Sequence, residues 1–267
     1  MRLPAPVRAL PTLLRVGVAE AVAYRAELFV WILTSTMPLI MLALWTAVAR
    51  DGPVGRWDQR GFAAYFLAVF VVRQLTGSWI AWEMNYEIRQ GTIAARLLRP
   101  LPPILHYATE TLSAIPLRLV VALPVAGGML WVAGADRLPR GATAWVVWLV
   151  ALAGGWLIAF LLSFCIGSLA FYLESSAKVM DLSLVLLFVS SGYLFPIELL
   201  PAGLRAVVDW LPFRYQSGLP VELLVSARGV GDSLGLLAAQ WAWVLALLAA
   251  AAALWRSGLA RYAAYGG

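Results

Sequence analysis

The stretch Ala144-Trp-Val-Val-Trp-Leu-Val-Ala-Leu-Ala-Gly-Gly-Trp-Leu-Ile-Ala-Phe-Leu-Leu-Ser-Phe-Cys-Ile-Gly-Ser-Leu-Ala-Phe-Tyr172 contains no charged residue. A bilayer core about 30 Å thick is crossed by an α-helix of roughly 20 apolar residues, so this stretch predicts a transmembrane helix. Similar runs flank it, at 28–49, 62–82, 111–134, 180–197 and 233–255. The sequence therefore predicts an all-α integral membrane protein with six transmembrane helices.

The composition agrees with a membrane domain. Hydrophobic residues make up 62% of the chain and charged residues 13%, against about 25% charged in soluble domains, and the mean hydropathy is +0.82. Six helices with their connections use nearly all of the 267 residues. We therefore expect a single transmembrane domain over 1–267, with no soluble catalytic domain left over.

The net charge of +6 comes almost entirely from arginines beside the apolar runs. Anionic lipid headgroups are the natural counter-charge at such positions, so we expect a lipid bilayer as the partner and no nucleic acid. Lys and Arg are only slightly more frequent on the side that would hold both termini. This bias predicts cytoplasmic N- and C-termini.

Residues 8–26 precede the first apolar run and predict an amphipathic helix lying along the membrane. Small and apolar residues share one of its faces: Leu10, Leu13, Leu14, Gly17, Ala21 and Tyr24. Arg8, Thr12 and Arg15 fall on another face. A simple extension of the first span, with its arginines reaching the interface, is the alternative.

Small residues recur every four positions in two of the predicted spans. The fourth span carries Gly155, Ala159, Ser163 and Gly167, and the sixth carries Ala238, Ala242, Ala246 and Ala250. Such stripes allow close approach of a neighbouring helix. They indicate helix packing within one chain or, alternatively, a subunit interface.

A polar, arginine-bearing segment, 85–106, separates the second and third spans. Its apolar residues could anchor a cytoplasmic protein, while its charged residues would steer that partner. A solvated loop ended by Pro100, Pro102 and Pro103 is the alternative reading.

The fifth apolar run stops at Pro196, and a broken segment follows over 196–230. Pro201 could open a short helix, and a second short helix, over 221–227, is predicted after the segment 212–220. Irregular backbone near a membrane must be covered by protein or face water. We expect two short helices that form a re-entrant or surface-lying cap, with Pro196, Glu198, Pro201 and Pro212 as its marker residues.

Arg73 lies near the middle of the second run, next to Gln74. A central arginine costs about 3 kcal/mol on insertion scales, so it needs a partner or water. Candidates are Asp181, Glu83, Glu110 or an anionic substrate. A structural ion pair or subunit-interface role and a substrate-pathway role both remain open; Arg118 is expected to be shallower and structural.

The order of these parts resembles the membrane subunit of ABC-2 type transporters. The local matches are Gln90-Gly-Thr-Ile93 followed by Leu97-Leu-Arg-Pro100, and Ser191-Gly-Tyr-Leu-Phe-Pro-Ile-Glu198 followed by Leu200-Pro201 and Trp210-Leu-Pro212. The family often has an acidic residue before the Gly-Thr pair, where this chain has Gln90. Within the family, the chain is most similar to bacterial permeases of unassigned substrate, some labelled drug or viologen exporters.

This resemblance implies a permease of the bacterial inner membrane that works with a separate ABC ATPase and a second permease copy or a related permease. ATP and Mg would bind to the ATPase, since the chain has no phosphate-binding Gly-x-x-x-x-Gly-Lys-Ser/Thr loop. The resemblance implies that 85–106 holds the coupling helix that contacts the ATPase. The residues of that contact would be Tyr86, Glu87, Ile88, Arg89, Gly91, Thr92, Ile93, Arg96, Leu97, Leu98 and Arg99.

The expected substrate is hydrophobic, amphipathic or drug-like, and export is the expected direction. We expect no enzyme activity, cofactor or metal on this chain: one histidine cannot assemble a zinc site, and no serine sits in a nucleophile elbow. Two other functions remain open. One is a self-sufficient carrier or channel, and the other is a membrane assembly factor that transports nothing.

Overall fold

The structure, a computed structural model, describes residues 5–24, 30, 36–134, 138–225 and 230–265. These residues form helices and turns, with an isolated bridge between Val54 and Trp57. The helices are α1 (Ala5–Ala23), α2 (Met37–Val48), α3 (Gln59–Thr76), α4 (Ile80–Gln90), α5 (Ile93–Leu97), α6 (Pro103–Ser113), α7 (Ile115–Ala133), α8 (Ala142–Ser168), α9 (Ala177–Ser190), α10 (Ala202–Val208), α11 (Leu219–Val225) and α12 (Val230–Tyr265). Short 3₁₀ turns lie at Leu169–Phe171 and Ile197–Leu199, and a π-helical turn lies at Arg214–Gly218.

Four helical stretches within the described residues are long and apolar enough to cross a membrane. They are Gln59–Gln90, Pro103–Val132, Ala142–Phe171 and Gly231–Tyr262, and they match the predicted second, third, fourth and sixth spans. The α-helical membrane class is thereby confirmed.

The other two predicted spans correspond to shorter helices in the described residues. The first, 28–49, is described mainly as α2, because 25–29 and 31–35 lie outside the described residues. The fifth, 180–197, corresponds to α9, whose 14 residues end at Ser190. A helix of this length rises about 21 Å, less than the bilayer core. A total of six spans stays a prediction.

The hydrophobic core has two main parts. One surrounds α8 and α12, where Phe164, Ile158 and Val244 are buried together. The other surrounds α3, where Phe62 and Phe66 are buried against the chain that leads into α12. Helices α3 and α8 therefore form the centre of the protein, and the functional candidates lie along them.

The predicted second span is broken in two. Helix α3 ends at Thr76, Gly77 adopts an extended conformation, and α4 begins at Ile80. The apolar run over 62–82 gave no sign of this break, since glycine and serine are tolerated within transmembrane helices.

The small residues of α8 pack against other parts of the same chain. A Cβ atom added to Gly155 would lie 2.3 Å from the Gln216 carbonyl oxygen, and one added to Gly167 would lie 2.7 Å from the Met84 Sδ atom. Close packing within the chain therefore explains this stripe. The alanines of α12 differ, because Ala238, Ala242, Ala246 and Ala250 are exposed in the single chain, and a subunit interface there remains open.

Helix α1 lies against α6, the first part of the third span. Gly17 sits so close to Ser113 that an added Cβ would approach the serine Oγ within 2.4 Å. Leu10, Leu13, Leu14, Gly17 and Ala21 are half-buried and Arg15 is exposed, as the amphipathic pattern predicts. Tyr24 is exposed, contrary to its assignment to the covered face. The end of the predicted helix, at 25–26, lies outside the described residues.

Candidate functional site

The segment 85–106 folds into a helical elbow, formed by the end of α4, the short α5 and the start of α6. Gly91 makes the first bend with φ +73°, in the left-handed region that glycine adopts without a Cβ penalty. The chain then turns again before Pro103 opens α6. The two bends bring α4 and α6 side by side, so that their carboxylates meet over α5.

Arg96 of α5 is the centre of an ion-pair network inside the elbow. Its guanidinium contacts Glu83 at 2.5 Å, Glu87 at 2.8 Å and Glu110 at 2.8 Å. It also lies over the Tyr107 ring, 4.4 Å from the centroid. Burial acts to lower the pKa of Arg96, but the hydrogen bond and charge of Glu110 and the charge of Glu83 outweigh it and raise the pKa. Arg96 therefore stays charged and fixes the angle of the elbow.

Further contacts stiffen the same network. Tyr107 donates a hydrogen bond of 2.5 Å to the second oxygen of Glu87. On the α1 side a polar cavity of about 400 Å³ is lined by Glu20, Glu83, Glu110 and Arg96. Within the part of the chain that the structure describes, the carboxylates of this network outnumber its arginine, so the network depends on Arg96.

The structure corrects the prediction for three contact residues, which face the interior of the protein: Ile88, Ile93 and Arg96. Ile88 and Ile93 are buried, because they pack into the core beside Met84, so they cannot anchor an external partner. The Arg96 side chain is only 12% exposed and belongs to the internal network, so it is not part of an orienting rim. These residues hold the elbow together.

The other contact residues leave an exposed face on the elbow. Leu98 is 87% exposed and Tyr86 is 64% exposed, both unusual for large apolar side chains. Arg89, Thr92 and Arg99 are also exposed, whereas Glu87, Gly91 and Leu97 are half-covered. The Arg89 guanidinium donates to the Leu173 carbonyl oxygen after α8. The elbow thus presents two apolar side chains among cationic ones.

The second candidate site lies at the break between α3 and α4. Arg73, one turn before Gly77, is 6% exposed. Its guanidinium lies near the Tyr193 side chain and over the Trp79 ring, 5.5 Å from the centroid. Gln74 is also buried, and its Nε2 has no hydrogen-bond partner among the described residues.

Arg118 of α7 reaches the same break. It is 8% exposed, and its Nη1 atom donates a 2.9 Å hydrogen bond to the Gly77 carbonyl oxygen. The proposed acidic partners of Arg73 are elsewhere, since Glu83 and Glu110 pair with Arg96 and Asp181 is exposed. The only sequence signal for Arg118 was a charge inside an apolar run.

The predicted cap over 196–230 contains the expected short helices. Pro201 immediately precedes α10, and Pro212 precedes the π-helical turn that leads into α11. Glu198 forms an ion pair of 2.6 Å with Arg56, in the loop between α2 and α3. Pro196 is buried just before the 3₁₀ turn.

Helix α11 is buried in the protein together with two charged side chains. Arg214 contacts Glu222 at 2.5 Å and Asp209 at 2.6 Å. The Gln240 side chain of α12 donates to the carbonyl oxygens of Ala151 and Tyr215, both at 2.8 Å. Protein therefore covers this irregular backbone, as is required of irregular backbone near a membrane that does not face water.

The helical membrane fold agrees with a comparison against protein families. Residues 28–266 match the model of the family described as ABC-2 family transporter protein. The chain therefore belongs to the ABC-2 transporter family and is a membrane permease component of an ABC transporter. A search among curated proteins finds no significant match.

Proposed function

We propose that this chain is the six-span permease subunit of an ATP-driven exporter in the bacterial inner membrane, with both termini in the cytoplasm. The family assignment over 28–266 is the observation that carries the proposal. ATP and Mg bind to a separate ABC ATPase, and a second copy or a related permease completes the transport path. The exported substrate is hydrophobic, amphipathic or drug-like.

The ATPase contacts the exposed face of the elbow in this proposal. Leu98 and Tyr86 provide apolar area at a surface that otherwise carries Arg89 and Arg99. Interfaces of this kind combine a few aromatic or apolar anchors with a charged rim. Because Arg96 stiffens the elbow, movement of the ATPase is transmitted to α4 and α6 together.

The cap over 196–230 lies on the outer side and covers the exit. This placement follows from the number of spans, since an N-terminus in the cytoplasm puts the connection between the fifth and sixth spans outside. The ion pair between Arg56 and Glu198 supports it, because the loop between the first and second spans falls on the same side.

The proposal is tested by purifying the C-terminally tagged chain from its native membranes and identifying what accompanies it. We expect an ABC ATPase with the wild type and with Leu204→Asp, a matched change on α10, and its loss with Leu98→Asp. No ATPase with the wild type, even after gentle crosslinking, would overturn the proposal. Equal recovery with Leu98→Asp would overturn the assigned contact face alone.

Transport itself is measured in liposomes that contain the permease with and without its ATPase. ATP-dependent flux supports the exporter. Flux that does not need the ATPase would favour the self-sufficient carrier, and co-purification without any flux would favour the assembly factor.

A further inference from the structure

We propose that the break between α3 and α4 is a binding site for the acidic headgroup of an amphiphile, with Arg73 and Arg118 as its ligands. This inference rests on the proposed transport function, because it assigns a chemical class to the substrate. The site lies inside the predicted second span, where charged side chains are costly and rarely without function.

Two buried guanidinium groups converge on Gly77. The Nη1 atoms of Arg118 and Arg73 lie 3.6 Å and 4.0 Å from the position that a Cβ atom on Gly77 would occupy. No Asp or Glu among the described residues forms an ion pair with either arginine. A buried charge without a counter-charge is strongly unfavourable, so an anion from outside the chain would stabilise this arrangement.

The other polar groups at the break are also hydrogen-bond donors. Ser78 is 4% exposed, and its hydroxyl has no partner among the described residues. It lines the same small cavity as Arg73. Helix α4 starts two residues later, at Ile80, with no side chain capping its first turn, and that turn also carries Glu83, which pairs with Arg96. The two guanidinium groups and the Ser78 hydroxyl are therefore the donors that an anion at this break would use.

The remaining cavity walls explain why the ligand should be an amphiphile. Besides the polar Ser163, Ser183 and Gln216, these walls carry apolar side chains from α8 and α9: Leu162, Met180, Leu184 and Leu187. A small hydrated anion gains nothing from these groups, whereas an alkyl chain attached to a carboxylate or phosphate would bury apolar surface against them. The headgroup would lie at the arginines, and its chain would lie towards α9.

The cavity has a volume of about 10 Å³ in this structure, too little for a headgroup. Helix α9 forms one wall of it with four residues, Met180, Ser183, Leu184 and Leu187. The outer face of α9 is exposed at Leu182 and Val185. Ligand entry therefore requires a displacement of α9, which makes the present structure the closed form of the site.

The test measures the thermal stability of the purified full chain in a neutral detergent, without its ATPase. Decanoate and decyl phosphate are titrated against decanol and decyltrimethylammonium, which have the same chain length with no negative charge. A ligand that binds the folded state raises Tm by an amount that grows with the logarithm of its concentration above the Kd. We expect this for the two acids only, with an apparent Kd at least tenfold higher in Arg73→Gln and Arg118→Gln. Arg60→Gln, at the exposed start of α3, is the matched control and should behave as wild type.

If the arginine variants do not fold, Ser78→Ala provides a second test of the inference. Loss of one hydrogen bond to a charged group should raise the apparent Kd about ten- to hundredfold. A Tm that rises with the phosphatidylglycerol content of mixed micelles would identify a lipid as the source of the headgroup. A shift with inorganic phosphate alone, or no acid-specific shift in the wild type, would overturn the inference. The ATPase purification is independent of this result.

Discussion

Asn85 on α4 accepts two hydrogen bonds from Ser176, the residue immediately before α9. The Ser176 backbone N–H and its hydroxyl both donate to the Asn85 Oδ1 atom at 3.0 Å. Asn85 lies in the elbow, and α9 covers the cavity at Arg73 and Ser78. A rotation of α4 would therefore pull on the start of the helix that closes the proposed substrate site.

Replacement of Asn85 by leucine should loosen the start of α9. Two hydrogen bonds of about 1 kcal/mol each are lost, so we expect about 1–2 kcal/mol less stability and faster amide exchange at 176–180. Asn85→Asp keeps an acceptor at the same position and should restore most of the protection. Equal exchange in the leucine variant and the wild type would show that Asn85 does not hold α9.

Arg96→Gln should destabilise the elbow much more than the loss of a surface charge. Removing one partner of a buried ion pair costs about 3–5 kcal/mol, and we expect about 2–3 kcal/mol here because Glu83 and Glu110 are partly exposed. Without Arg96, the carboxylates of Glu83, Glu87 and Glu110 repel one another. Protonation removes their charge, so the loss of stability should be smaller at about pH 5 than at about pH 7.5. Denaturant titration of the purified chain at both pH values measures this.

The exposed Arg99 provides the control for that experiment. Arg99→Gln should change stability by less than about 0.5 kcal/mol and should instead slow association with the ATPase at low salt. If Arg96→Gln were as stable as Arg99→Gln at both pH values, the three-carboxylate network would have no structural role.

Arg96 and Arg99 also illustrate which parts of the fold and of the candidate site the sequence could predict. Apolar runs predicted the membrane class, and the Gly-Thr and Pro-rich motifs predicted the family and the elbow. The sequence could not separate the two arginines, because Arg96 meets Glu83 and Glu110 only after the bend at Gly91 sets α4 beside α6. The contact of Arg118 with Gly77 could not be predicted for a similar reason, because it depends on how α7 packs against α3.

The buried pair of Arg214 and Glu222 should show strong coupling. Arg214→Leu removes the cation that Glu222 contacts beside α11 and should cost about 3–5 kcal/mol. Glu222→Leu should cost less, because Arg214 keeps its contact with Asp209. The double change to leucine removes both charges and should cost less than the sum of the single changes. A double-mutant cycle on unfolding free energies measures this coupling, and additive losses would mean that the ion pair contributes nothing beyond the separate side chains.

Gly155→Ala tests the close approach of α8 to the π-helical turn. The new methyl group would lie 2.3 Å from the Gln216 carbonyl oxygen, so the backbone must shift, at a cost of about 1–3 kcal/mol. Gly128→Ala in α7 is the matched control, since nothing lies within 4 Å of its added Cβ. There the higher helix propensity of alanine should leave stability unchanged or raise it by up to about 1 kcal/mol. Thermal unfolding of both variants distinguishes the two effects. Equal Tm values would mean that Gly155 is not a packing position within the chain, and the small-residue stripe of α8 would then have to be explained by a contact with another subunit.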